Sequence, residues 1–113
     1  MSPSTRVVLA SLWIGSGIFG ITISLVFRVE PVSWAITIAL GILAVLMGIV
    51  LLFRPVPRVA RWSLALGIVW VSCYAALAVW QLDDPAALIT DIALALLGTA
   101  ALVLGRRVVA ASA

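Results

Sequence analysis

Four stretches, residues 7–27, 34–53, 62–80 and 86–104, each run about 20 residues without a proline, and Asp91 is the only charge inside any of them. A helix rises about 1.5 Å per residue, so each stretch reaches roughly 29–32 Å, the thickness of a bilayer's hydrocarbon core. In lipid a spanning segment must satisfy its own backbone hydrogen bonds. The Val and Ile runs, which favour strands in water, are therefore predicted to be helical here. Pro3, Pro31, Pro55, Pro57 and Pro85 all lie outside the stretches, as residues at helix boundaries should. Composition points the same way: 65% of the 113 residues are hydrophobic and 10% are charged. Soluble domains hold roughly 45–50% and 25%, and a chain this short has too much surface for its volume to hide the excess. The expected fold class is all-α: a polytopic membrane protein forming one integral-membrane domain over residues 1–113. An ordinary soluble enzyme, a disordered chain and a disulfide-stapled secreted module are excluded. The first stretch reads as a retained helix rather than a cleaved signal, since its apolar run exceeds the usual core of about 7–15 residues.

Arginine placement predicts the topology. Arg6, Arg54, Arg58, Arg61, Arg106 and Arg107 fall on one side of the stretches, and Arg28 falls on the other with Glu30, Asp83 and Asp84. The positive-inside rule then puts both termini and the Arg54–Arg61 loop in the cytoplasm, in the plasma membrane of a bacterium or archaeon. Short connections force neighbouring helices to be antiparallel, giving an up-down-up-down four-helix bundle. Trp34, Trp62 and Trp80 sit at stretch ends as interfacial anchors, while Trp13 and Trp70 lie deeper and are expected to pack against neighbours or lipid. The net charge of +3 is not a nucleic-acid signal, because the arginines form no patch with interleaved aromatics. Arg54, Arg58, Arg61, Arg106 and Arg107 read as topology determinants or, alternatively, as contacts for anionic headgroups.

Little chemistry is available. The chain has no His, no Lys and no Asn, one Cys (Cys73) and four carboxylates. Imidazole ligation, nucleophile–His pairs and Lys Schiff bases are excluded, and no catalytic, cofactor or metal site is expected. Cys73 beside Tyr74 reads as an ordinary buried pair. Gly15-Ser16-Gly17-Ile18-Phe19-Gly20 spells G-x-G-x-x-G, but it lies within a spanning helix rather than between a strand and a helix. Its physical reading is packing: Ser16, Gly20 and Ser24 recur every four residues, a small-xxx-small ridge on which two backbones approach closely. Gly41, Ala44 and Gly48 form a second seam, and Ser63 and Gly67 begin a third. Some of these surfaces should face helices of the same chain and the rest a second subunit.

Asp91 lies about five residues inside its stretch, roughly 8 Å deep, beside Thr90, Ala95, Gly98 and Thr99. A carboxylate at membrane depth costs a few kcal/mol and is a functional candidate by default. The structural reading is that a helix N-terminus favours the charge and the interface hydrates it. The others are ion or proton handling and contact with a partner, with Arg28 and Glu30 as the nearest local groups.

The chain also aligns with itself. Arg6-x4-Ser11-Leu12-x2-Gly15 recurs as Arg58-x4-Ser63-Leu64-x2-Gly67. After a two-residue insertion, Glu30-Pro31 matches Asp84-Pro85 and Ile38-Ala39-Leu40 matches Ile92-Ala93-Leu94. Two tandem helical hairpins, 6–54 and 58–107, would share one orientation about an axis along the membrane normal. The run Trp62-x-Leu64-x-Leu66-Gly67-Ile68-x-Trp70-x-Ser72, with Asp84-Pro85-Ala86-Ala87-Leu88 after it, resembles the SPW-repeat proteins, small bacterial membrane proteins built from a duplicated hairpin. Here Ser72-Cys73-Tyr74 stands where the family has Ser-Pro-Trp. The resemblance implies an architecture and no activity. The expected function is a non-catalytic accessory, scaffold or self-associating membrane subunit whose partners are the bilayer and other membrane chains. The alternative is a small oligomeric transporter or channel using Asp91. It would have the size of the small multidrug exporters but lacks their first-span Glu, since no acid occurs in 7–27. A pigment held among Trp13, Trp70 and Phe19 is a third possibility.

Overall fold

The computed structural model describes residues 3–27, 31–54 and 56–112, and these fold as four α-helices. They are α1 (Pro3–Phe27), α2 (Pro31–Phe53), α3 (Pro57–Trp80) and α4 (Pro85–Ser112). Every helix opens on a proline. The first helical position has no carbonyl to bond and tolerates the fixed φ, so proline starts a helix there rather than breaking one. The helices consequently begin three to five residues before the expected stretches in α1 (Pro3), α2 (Pro31) and α3 (Pro57), and one residue before in α4 (Pro85). α4 also runs on through Arg106 and Arg107 to Ser112, because charged residues end an apolar stretch without ending a helix. All four are long and apolar enough to cross a membrane.

The bundle measures 44 × 20 × 18 Å. One end carries the starts of α1 and α3 and the finishes of α2 and α4, hence the six arginines other than Arg28; we call it the arginine end. The opposite end, at the α1–α2 and α3–α4 connections, is the turn end. Caps hold both. Arg6 Nη1 donates to the Leu51 and Leu52 carbonyls at 3.1 and 3.0 Å, placing a cation on the finish of α2. At the turn end the Asp84 carboxylate accepts from the Ala87 amide at 3.3 Å, placing an anion at the start of α4. Ser33 in the first turn of α2 donates to Gln81 Oε1 at 3.4 Å, joining the start of α2 to the α3–α4 connection.

α1 packs most closely on α2, and α3 on α4; the hairpins meet mainly through α1 and α4, with only a narrow seam between α2 and α3. The two hairpins use glycine differently. In the first, backbones touch: a Cβ on Gly17 would come within 2.5 Å of the Gly41 carbonyl oxygen, and one on Gly41 within 2.9 Å of the Gly17 oxygen. In the second, glycine makes a notch for a side chain. Leu102 fills the space at Gly67, and a Cβ on Gly98 would strike Trp70 Cδ1.

Pro57 lies 54 residues after Pro3, and Pro85 lies 54 after Pro31. Burial follows that offset. Trp13 with Gly67, Gly20 with Tyr74, Thr37 with Asp91, and Ala44 with Gly98 are pairs in which both members are buried. The shorter spacing that aligns Ser11 with Ser63 and Gly15 with Gly67 pairs exposed residues with buried ones. Matching positions of α1 and α3 even meet across the bundle, large against small. Gly67 faces Trp13 Cζ2 and Gly20 faces the Tyr74 hydroxyl, with 3.7 and 3.6 Å left for a missing Cβ.

Candidate functional site

The bundle's middle is an aromatic plug. Trp13 and Trp70 meet edge to face with ring centroids 5.6 Å apart, and Tyr74 tilts against Trp70 at 5.0 Å. All three are wholly buried. Trp70 Nε1 donates to the Leu94 carbonyl at 2.7 Å, an approach to the α4 backbone that Gly98 permits by having no side chain. Towards the arginine end the filling is apolar: Leu9, Leu51, Val59, Ala60, Ala101 and Val108. Ser63 is buried there too, with its hydroxyl donated to the Ala60 carbonyl at 2.6 Å.

Towards the turn end the interior becomes polar, and each helix contributes. Ser24 of α1, Thr37 of α2, Tyr74 of α3 and Asp91 of α4 are each 0% exposed. Thr37 and Asp91 stand at matching depth, each six residues past the opening proline of its helix, about 9 Å along the axis, and Ser24 lies nearer the end, three residues before the finish of α1. Gly20 lies among them: a methyl group there would sit 3.6 Å from the Tyr74 hydroxyl, 3.7 Å from Thr37 Cγ2 and 3.7 Å from Leu94 Cδ2. Along their own helices, Ser24 is one turn from Gly20 and Asp91 one turn from Leu94. The Ser24 and Thr37 hydroxyls have no hydrogen-bond partner among the described residues, nor do the Ser16 hydroxyl and the Trp13 indole nitrogen nearer the middle. A buried hydroxyl left so costs about 1–3 kcal/mol, and a carboxylate at membrane depth about 2.5–3.5 kcal/mol on insertion scales.

Asp91 thus faces the bundle interior, not the hydrated interface. Ser16, Gly20, Ser24, Gly41, Gly48 and Gly67 are all buried within the chain. A Cβ at Gly48 would come within 2.7 Å of the Ala10 carbonyl oxygen, so that seam is occupied by α1. Gly15 faces outward with nothing near it. Of the residues flanking Asp91, Gly98 is buried, Thr90 and Ala95 are half-buried and Thr99 is exposed, the two threonine hydroxyls donating to carbonyls of their own helix. Arg28 and Glu30 lie outside the described residues. Arg54, Arg58, Arg61, Arg106 and Arg107 are exposed at the arginine end, and Trp34, Trp62 and Trp80 are exposed near helix ends. Among the described residues no group of three or more His, Cys, Asp or Glu could hold a metal ion.

Thr37 and Tyr74 are the members that sequence reading did not single out as site residues. The signal for Thr37 was present, because it continues the Gly41, Ala44, Gly48 seam by one turn. Tyr74 follows Trp70 by one turn, but nothing in the sequence says that their shared face meets Trp13 and α4. No protein-family model matches the chain, and neither a curated protein nor a solved structure is similar to it.

Proposed function

We propose that this chain is a non-catalytic integral-membrane subunit, an accessory or self-associating bundle built from a duplicated hairpin of the kind the SPW-repeat resemblance implies. One observation carries the reading. Among the described residues, the interior from the arginine end to the level of Tyr74 is filled mainly by Trp13, Trp70 and aliphatic side chains, and its buried hydroxyls, Ser16 and Ser63, form no continuous polar route along the axis of one chain. The outward faces of all four helices carry large apolar residues, among them Ile18, Leu46, Ile68 and Leu96, suited to acyl chains or to the apolar face of another membrane helix. The small-residue seams serve the chain's own packing, so association with another subunit would use these larger residues and the open Gly15 face. We place the arginine end in the cytoplasm, on the charge asymmetry alone.

Crosslinking and native mass spectrometry in mild detergent test this proposal. An oligomer or a stoichiometric membrane partner is expected; a strictly monomeric, partner-free species overturns it. The burial of Asp91 favours a second reading, transport coupled to that carboxylate. Flux in proteoliposomes that disappears in Asp91→Asn would replace the first reading with the second. Unchanged flux would remove the carboxylate from the mechanism.

A further inference from the structure

We propose that a groove on α4 at the arginine end is the headgroup site for one anionic glycerophospholipid of the adjoining leaflet, its phosphate held by Arg106 and Arg107. The inference rests on the membrane placement proposed for the arginine end and not on the subunit role, since a bundle can hold a lipid whatever it assembles with.

Three observations support it. The first is shape. Val103, Arg106, Arg107 and Ala110 together line an open groove of about 320 Å³. They stand three and four residues apart on one exposed helix face, the two arginines side by side between a valine and an alanine. α4 stays helical to Ser112, so a regular helix and not a loop carries both arginines. The second is unspent charge. Arg6 is occupied by the Leu51 and Leu52 carbonyls. Arg106 and Arg107 are exposed and make no hydrogen bond or ion pair with any described residue. Glu30, Asp83 and Asp84 fall in the connections at the turn end and Asp91 in the turn half, so no acidic side chain of this chain neutralises the pair. The third is what the groove runs into. Leu96, Thr99 and Val103 carry the exposed face of α4 on towards the bundle's middle, again at steps of three and four. Thr99 does not interrupt this apolar path, because its hydroxyl is spent on the Ala95 carbonyl at 2.9 Å. From Leu96 to Arg106 the helix rises about 15 Å, half of a hydrocarbon core of about 30 Å and so the depth of one leaflet.

Chemistry selects the occupant. A guanidinium fork matches the paired oxygens of a phosphate and keeps its charge at any pH a cell reaches. An acyl chain covers the apolar face while its own headgroup brings the anion, so one molecule satisfies both parts of the surface. A soluble phosphate satisfies only the first part. A zwitterionic headgroup brings a cation of its own to the same place and gains less.

The test is native mass spectrometry of the full chain, released from mild detergent after equilibration with equal amounts of phosphatidylglycerol and phosphatidylcholine. One phosphatidylglycerol per chain is expected to be retained in preference to phosphatidylcholine. Arg106→Gln with Arg107→Gln should weaken that binding about 30-fold, the equivalent of about 2 kcal/mol for two charges. Arg54→Gln with Arg61→Gln removes the same charge elsewhere at this end and should bind as wild type does. Ala110→Phe fills the groove, keeps both arginines and should also weaken binding. Every substituted position is exposed, so the variants are expected to fold. Equal retention of the two lipids overturns the proposal, as does wild-type binding in the Arg106 and Arg107 variant. An equal loss in the Arg54 and Arg61 variant overturns it too, because charge spread over the whole end then attracts the lipid. Wild-type binding in Ala110→Phe denies the groove a part, and inorganic phosphate that saturates the site in lipid-free micelles denies the acyl chain one; either result overturns it. A chain that stays dissolved without detergent would instead defeat the membrane placement, and the proposal with it.

Discussion

The two halves of the bundle are built to opposite rules. At the arginine end the interior is aliphatic and aromatic, and its buried hydroxyl, Ser63, is spent on the Ala60 carbonyl. At the turn end four helices each direct a polar group inward, and two of those hydroxyls find no partner among the described residues. Between them Trp13 and Trp70 form the boundary. In lipid there is little hydrophobic drive between helices, so close packing must hold the bundle together. The arginine half does this with side chains fitted into glycine notches and with backbones in contact. The turn half gives up packing at Gly20 and keeps a carboxylate where it costs stability. Apolar filling is concentrated in one half and buried polarity in the other.

The largest effects should come from breaking the boundary. Trp70→Ala removes the indole that spans from Trp13 to the α4 backbone and is expected to cost about 3–5 kcal/mol, measured by denaturant or SDS titration in mixed micelles. Gly98→Ala keeps the indole but drives a methyl group into Trp70 Cδ1, straining the bond from Nε1 to the Leu94 carbonyl. A loss of about 1–3 kcal/mol is expected. In the turn half the same substitution at Gly20 should cost nothing. If Gly98→Ala and Gly20→Ala destabilise equally, the two halves are packed alike and the contrast fails.

The next test removes the polarity itself. Replacing Ser24, Thr37 and Asp91 together by Ala, Val and Leu exchanges buried polar groups for apolar ones of similar size. Such exchanges are often neutral or stabilising, by about 1–4 kcal/mol. The triple variant is expected to gain stability. If it loses stability instead, the polar groups are the glue of the turn half, and the structural reading of Asp91 stands.

Much of this contrast was legible in the residues and part was not. Span number, antiparallel order and the clustering of arginines at one end follow from where apolar runs stop and where arginine falls, both local properties of the chain. Asp91 stood out for the same reason, being the one charge inside a stretch. What surrounds it did not, because helix rotation about its own axis decides whether residue 91 faces lipid or its neighbours. In α4 nearly every face is apolar, so hydropathy cannot set that angle. The angle is set by Gly98, whose notch for Trp70 turns the Asp91 face inward; a glycine in an apolar helix does not announce which side chain it will receive. The helix starts were misjudged for a simpler reason. Proline was read as lying outside a helix, although it is also a favoured first residue.

The smallest effects concern how the two ends are closed, and they test whether each end is held by its own charge. Asp84 caps the start of α4 through the Ala87 amide, beneath the polar half, while Arg6 caps the finish of α2 at the Leu51 and Leu52 carbonyls, beneath the apolar half. Asp84→Ala should cost about 0.5–1 kcal/mol, the lower range for a cap whose bond is long. Arg6→Gln leaves a donor but removes the cation from the helix terminus, at an expected cost of about 0.3–1 kcal/mol that shrinks as salt is added. Amide hydrogen exchange makes these losses local: Asp84→Ala should speed exchange at the turn end of α4 and leave the arginine end unchanged, and Arg6→Gln should do the reverse. Exchange that quickens along the whole bundle in either variant would mean that the halves open as one cooperative unit. The polar interior would then share the stability of the apolar one.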